Sequence, residues 1–451
     1  MTALGEIIDE VPVDPERGRV YAEGWQSWSP ATWYPIGAAG RVPQEEWQHL
    51  MRFRPGTPLT PDAVQAEGLL VVDPGTGEPA RRYAPRNLVD VPTLRATSEG
   101  GTVVVRATGQ VDVTHHPTGA EDALQTFGDE YAAGRGVLPL AGPPTVWCSW
   151  YHYFEQVTAA DIEENLRAID ERDLPVDVVQ IDDGWSPGLG EGLLPSPDFG
   201  SLPAIVDDIR TAGRRAGLWL APFVVGRGTT LARRHPDWLV GPAGRNWGQD
   251  LGGLDLTHPG VQDLLREVLG RLVALGVEYL KLDFLYGGAV PGPRHRDVDE
   301  VAAYRAGLAL VREAVGPDVY LVGCGAPLLP SVGLVDAMRV SPDTFHEGAE
   351  DGSAGLRGLM PLAARAWMQG RLWVNDPDCV VARPSYRLRE RWAAEAERFG
   401  GLPSFSDRVA DLDDWGLATV RRVLAEGGSG APLSPDLVRA GAELARAEGS
   451  A

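Results

Sequence analysis

The hydrophobic pattern changes character once along the chain. Up to about residue 135 the apolar positions come in short β-type runs, such as Gly68-Leu69-Leu70-Val71-Val72 and Thr102-Val103-Val104-Val105-Arg106, broken by Pro and Gly. That texture predicts a small antiparallel sandwich. A helical stretch follows near 121–134, and Leu140-Ala141-Gly142-Pro143-Pro144 reads as a boundary loop. Beyond it, strand-like runs recur near 146–150, 176–181, 218–223, 277–284, 319–323, 337–341, 372–375 and 402–405. Amphipathic helical stretches lie between them, for example 159–171, 261–275, 301–315 and 386–399. Eight strand-then-helix units predict a (β/α)8 barrel. The rival, a doubly wound sheet, lacks both a GxGxxG after the first strand and a Walker A segment. The predicted organisation is an abbreviated N-terminal β-sandwich over 1–135, a linker over 136–143, the barrel over 144–425 and a C-terminal helical tail over 426–451.

Composition narrows the function. With 63 acidic against 41 basic residues, the net charge is −22, which repels nucleic acid and anionic lipid. No apolar run is long enough for a membrane span, and the start carries no secretory pattern, so a cytoplasmic, soluble protein is expected. Three widely spaced cysteines, one His-His pair and no HExxH argue against a disulfide framework and a metal site, and no cofactor motif is present. Fourteen tryptophans against nine phenylalanines favour flat apolar faces, which pack cores and also stack on sugar rings. The oligomeric state is not legible.

Lys281 is the single lysine; all other basic residues are arginine. A compact ammonium and a wide guanidinium fork do not substitute for one another in a tight site. Tyr279, Lys281 and Asp283 alternate with Leu280, Leu282 and Phe284, so the lysine and the aspartate share one face at the end of the fourth strand. Barrel sites gather at the carboxyl ends of the strands. There the sequence also offers Asp182 and Asp183 after the second strand, Trp219 in the third, Arg339 and Asp343 after the sixth, and Asp376 after the seventh. Adjacent aspartates and the Ser-Pro-Asp-Thr and Asn-Asp-Pro-Asp segments also occur as plain turns or caps. Several strand ends converging on one mouth point instead to chemistry. Two carboxylates, further acceptors, a lysine and tryptophan faces fit glycoside hydrolysis, in which one carboxylate attacks and a protonated one assists the leaving oxygen. Asp343 must then keep its proton, which is awkward beside Arg339 and leads to the expectation that Arg339 faces the sugar instead. A magnesium-dependent barrel enzyme with a lysine base and a non-catalytic sugar-binding barrel are the alternatives.

Six ordered blocks across about 145–380 carry a resemblance: Trp147-Cys148-Ser149-Trp150-Tyr151-His152-Tyr153-Phe154, Gln180-Ile181-Asp182-Asp183, Trp219-Leu220-Ala221-Pro222-Phe223, Tyr279-Leu280-Lys281-Leu282-Asp283-Phe284, Met338-Arg339-Val340-Ser341-Pro342-Asp343-Thr344 and Asn375-Asp376-Pro377-Asp378-Cys379. Together with Gly24-Trp25-Gln26-Ser27-Trp28 they closely resemble glycoside hydrolase family 36, the α-galactosidases. The resemblance implies a retaining hydrolase of terminal α-linked galactose in oligosaccharides, with Asp283 as nucleophile and Asp343 as acid/base. It implies Asp182 and Asp183 at the 4- and 6-hydroxyls, Lys281 around the 3- and 4-hydroxyls and Arg339 at the 2-hydroxyl. Trp219 would meet the sugar face with Tyr151 nearby, and Trp28 would form part of the pocket wall. Galactosyl transfer and action on N-acetylgalactosaminides are alternatives on the same scaffold. Two departures stand out: a short stretch ahead of Trp25, and a short segment 345–350 after Asp343.

Overall fold

The computed structural model describes residues 5–42, 46–137, 140, 142–190, 196–246, 248–344, 349–426 and 428–449. The N-terminal part is two antiparallel sheets. One runs, in hydrogen-bonded order, Glu6–Pro12, Thr102–Thr108, Thr93–Glu99 and Val64–Glu67; the other Thr32–Pro35, Arg19–Ala22, Leu70–Asp73, Ala80–Pro85 and Val111–His116. Alternate residues such as Leu94, Ala96, Val103 and Val105 meet Val20, Leu70, Val72 and Tyr83 in one buried layer, as a period of two requires.

The second part is the eight-stranded parallel barrel: Val146–Cys148, Val178–Ile181, Arg215–Leu220, Val277–Leu282, Tyr320–Gly323, Ala337–Arg339, Val374–Asp376 and Ser404–Phe405. Neighbours pair in sequence order, with the first strand also paired to the eighth. The seam between the seventh and eighth is irregular. Gly401 and Leu402 donate backbone N–H groups to Asn375 O at 2.8 and 3.0 Å, and Val380 N reaches Ser404 O at 2.9 Å. Pro377 explains the break, because it has no N–H for the ladder, and Asp378 follows at φ 86°. Helix Ala159–Glu171 begins with a Thr158/Asp161 capping box, and Pro259–Leu275 ends in a left-handed Gly276; both are strong local stop and start signals.

One feature lies outside the sequence-based picture. Between the third strand and its helix, Val224–Gly226, Leu239–Asn246 and Gln249–Leu254 form a separate antiparallel sheet. Its strands carry Gly241, Pro242, Gly244, Gly252 and Gly253 with register shifts, so they lack the clean alternation by which a strand is recognised. The stretch expected as a helical tail contains Pro435–Gly449, which buries Val438, Ala442 and Ala445. Thr32 of the sandwich donates to Ala445 O at 2.9 Å. Among the described residues no helix is long and apolar enough to cross a membrane.

Candidate active site

Inside the barrel the residues stack in layers. Val146, Val178, Tyr279, Val322, Ala337, Val374 and Leu402 form an apolar plug. Stepping two residues toward the carboxyl end of these strands, the distance that returns a side chain to the same face, gives Cys148, Gln180, Lys281, Cys324, Arg339 and Asp376, all buried. A further step gives Asp182, Asp283 and Asp378. The apolar plug thus closes the bottom, and chemistry occupies the layers above it.

Lys281 organises one half of the site. Its Nζ lies 2.9 Å from Asp182 Oδ2 and 3.9 Å from Asp283 Oδ2. Burial alone would lower its pKa, but Asp182 and then Asp283 outweigh that and raise it, so the ammonium stays charged. Asp182 is heavily engaged: Oδ2 also accepts from Gln180 Nε2 at 2.6 Å and Cys148 Sγ at 3.4 Å, and Oδ1 from Asp183 N at 3.0 Å. Asp183 accepts only a backbone N–H, from Gly184 at 2.8 Å, among the bonds described. Burial pushes its carboxyl up to about 7 against that N–H, with Asp182, Glu155 and Asp283 adding negative charge. Asp283 accepts from Phe284 N at 2.8 Å and from Trp219 Nε1 at 3.1 Å. Each of these groups is a donor, and Lys281 adds a cation. Phe284 itself has φ 50°, a costly conformation for a bulky residue that occurs where surrounding structure enforces it.

Arg339 organises the other half, and it lies against Asp343. Its Nη1 is 3.2 Å from Asp343, its Nε 3.1 Å from Asp376 and its Nη2 2.7 Å from Asp378. One positive charge shared among three carboxylates cannot neutralise them all. The Asp343 side chain is half exposed at the mouth, yet the walls deny it full hydration. That loss of hydration first, and then the charge of Asp378, push Asp343 up to about 7 despite Arg339 and Lys281. A carboxyl can therefore stay protonated next to an arginine. Tyr151, expected beside the sugar, is buried with its hydroxyl donating to Asp378 and accepting from Thr344 N at 3.0 Å. Thr344 also donates N–H and Oγ1 to Asp378 at 2.7 and 2.9 Å. Asp378 thus ties Tyr151, Arg339 and the residue after Asp343 together. Sequence reasoning left it in a turn, although its spacing of two from Asp376 was the signal. The short segment expected after Asp343 falls largely on 345–348, outside the described residues.

The aromatic wall comes from both parts of the molecule. Trp28 meets Phe284 edge-on at 5.4 Å and Tyr286 at 6.0 Å, and Trp219 meets Phe284 at 6.3 Å. The turn that carries Trp28 is sewn to the barrel by Ser27 N to Ala326 O at 3.2 Å, Leu328 N to Trp25 O at 3.0 Å, and Arg365. This arginine donates to Ser27 O and Val340 O at 2.7 and 2.8 Å and pairs with Glu23 at 2.8 Å, both side chains fully buried. Gly325 has φ 53°, and a Cβ there would lie 2.9 Å from the Trp28 ring, so only glycine lets the tryptophan in.

A barrel whose mouth holds two carboxyls from different strands in contrasting surroundings, lined by further charges and aromatic faces, is that of a glycoside hydrolase. The Melibiase family model matches residues 142–312. Probable α-galactosidase C of Aspergillus flavus is 28% identical over 209 residues, 41% of this chain and 27% of that protein. α-Galactosidase AgaA of Geobacillus stearothermophilus is 25% identical over 224 residues, 46% of this chain and 30% of that protein. The matched stretches span less than a third of those two curated relatives. TtGalA, an α-galactosidase from Thermus thermophilus solved in complex with stachyose, shares 30% identity and a TM-score of 0.76 over 93% of each chain. The solved AgaA shares the fold, with a TM-score of 0.61 at 14% identity over 92% of this chain and 61% of that one. The chain belongs to glycoside hydrolase family 36, the α-galactosidases.

Proposed function

We propose that this protein hydrolyses terminal α-linked galactose from oligosaccharides with retention of configuration. The observation that carries the reading is the contrast between two carboxyls in one mouth. Asp283 is faced by the indole N–H of Trp219, the N–H of Phe284 and the Lys281 ammonium, and Asp343 is held up to about 7. Asp283 attacks the anomeric carbon to form a galactosyl-enzyme, while Asp343 protonates the leaving oxygen. Asp343 then takes a proton from the water that releases galactose. Lys281 keeps N–H groups for the 3- and 4-hydroxyls, and Arg339, held on three aspartates, keeps two for the 2-hydroxyl. Asp183, with one oxygen open, is the better acceptor for the 4- and 6-hydroxyls; Asp182 mainly fixes Lys281. Trp219 and Trp28 flank the ring, and Tyr151 acts through Asp378. The test is the anomer first released from an aryl α-galactoside, followed by proton NMR. α-Galactose is expected; β-galactose first would reject the double displacement.

The protonated form of Asp343 is the active one in the first step, so kcat/KM is expected to fall as pH rises through about 7. Because Asp183 is also pushed to about 7, the assignment needs both variants. Asp183→Asn should retain the alkaline fall, whereas Asp343→Asn should abolish it on an activated aryl galactoside. A fall that disappears in Asp183→Asn and survives in Asp343→Asn would reverse the roles. Lys281→Arg is expected to lower kcat/KM about 10²-fold, because a wider fork beside Asp182 displaces Asp283 or the sugar. Turnover near that of the parent would show that any cation suffices at 281.

A further inference from the structure

A cavity of about 390 Å³ lies between the two parts of the molecule, lined by Trp28, Arg41, Arg52, Pro342, Arg357 and Glu448 among others. We propose that this cavity receives the leaving group, and that it selects α-galactosides whose aglycone carries a carboxylate or phosphate, bound between Arg52 and Arg357. The proposal rests on the reading of Asp343 as the acid: the group that protonates the leaving oxygen must border the leaving group. Trp28 and Pro342 line the cavity; Trp28 also meets Phe284, the residue after Asp283, and Pro342 directly precedes Asp343, so the cavity borders the mouth.

The charge in this cavity is unbalanced. Arg41 donates to Gly449 O at 3.1 Å, and Glu448 is already paired with Arg391 at 2.5 Å. Neither Arg52 nor Arg357 has a side-chain ion pair or hydrogen bond among the described residues, although most other arginines in the chain have one. Burial, then the charge of Arg357, lower the pKa of Arg52, with Asp343 opposing. Two guanidinium groups thus repel one another in a partly dried space, in a chain of net charge −22. The position of Arg52 is built: Gln26 Nε2 donates to Met51 O and Ser29 Oγ to Arg52 O, so the turn that places Trp28 also places this arginine. An anion between the two forks would relieve the repulsion and gain charge-assisted hydrogen bonds. A neutral sugar ring relieves none of it.

The test compares 3-carboxyphenyl α-galactoside with its methyl ester, and adds the 3-phosphonooxyphenyl analogue to tell which anion is preferred. In the parent enzyme kcat/KM is expected to favour the anionic aglycones about tenfold at low salt, and the preference should shrink as salt rises. Arg52→Gln with Arg357→Gln should bring the ratio to about one, leaving the ester within about threefold. Equal rates for acid and ester in the parent, or arginine variants that lower both alike, would overturn the proposal; the second result would make these residues tuners of Asp343. Calorimetry on Asp283→Asn separates this proposal from the reading beneath it. Tighter binding of the anionic glycosides supports the cavity assignment. Equal binding of acid and ester overturns it alone, and no binding of either overturns the galactoside reading with it.

Discussion

Replacing Asp283 by glycine is expected to lower kcat on an activated aryl α-galactoside by more than about 10⁴-fold, and added azide is expected to recover part of the lost rate as β-galactosyl azide. The fall follows from the place of Asp283 under Trp219 Nε1 and Phe284 N, which hold the attacking carboxylate of the proposed mechanism. Removal of the carboxyl opens a space beside Lys281, and a small anion is drawn there by the remaining ammonium. Attack from that face inverts the α-galactoside once. An α-azide product would place the nucleophile elsewhere, and an unchanged rate would remove Asp283 from the chemistry.

The second large effect is on stability and lies away from the mouth. Glu23→Ala is expected to destabilise the protein by about 3–5 kcal/mol, because it leaves the fully buried Arg365 without its counter-charge. The midpoint of urea unfolding measures it. Glu23 also accepts from Tyr21 at 2.5 Å, whose hydroxyl in turn accepts from Trp367 Nε1 at 3.0 Å, so several donors lose their partner at once. Since Arg365 anchors the turn bearing Trp28, KM for a galactoside should rise as well. A loss below about 1 kcal/mol would mean that the carbonyls of Gln26, Ser27, Ser29 and Val340 satisfy the guanidinium unaided.

The barrel was readable because each unit carries its own local signals. Helix Ala159–Glu171 has its capping box, Pro259–Leu275 its proline start and glycine stop, and strands such as Val178–Ile181 their apolar runs. The inserted sheet after the third strand was not, since glycines and a proline interrupt its alternation and long-range packing on Tyr286 and Met51 holds it.

By itself, the order of residues determined the barrel, the lone lysine and the inward-facing pair Lys281 and Asp283, because a period of two sets which face a side chain takes regardless of distant partners. It also carried Asp182, Asp183, Arg339 and Asp343 as strand-end charges. Only the tertiary structure decided what each charge touches. Arg339 divides itself among Asp343, Asp376 and Asp378, Tyr151 turns to Asp378, and Arg52 comes within electrostatic reach of Asp343 from some 290 positions earlier in the chain. Electrostatic interactions depend on separation in space and on hydration, and neither quantity is encoded locally.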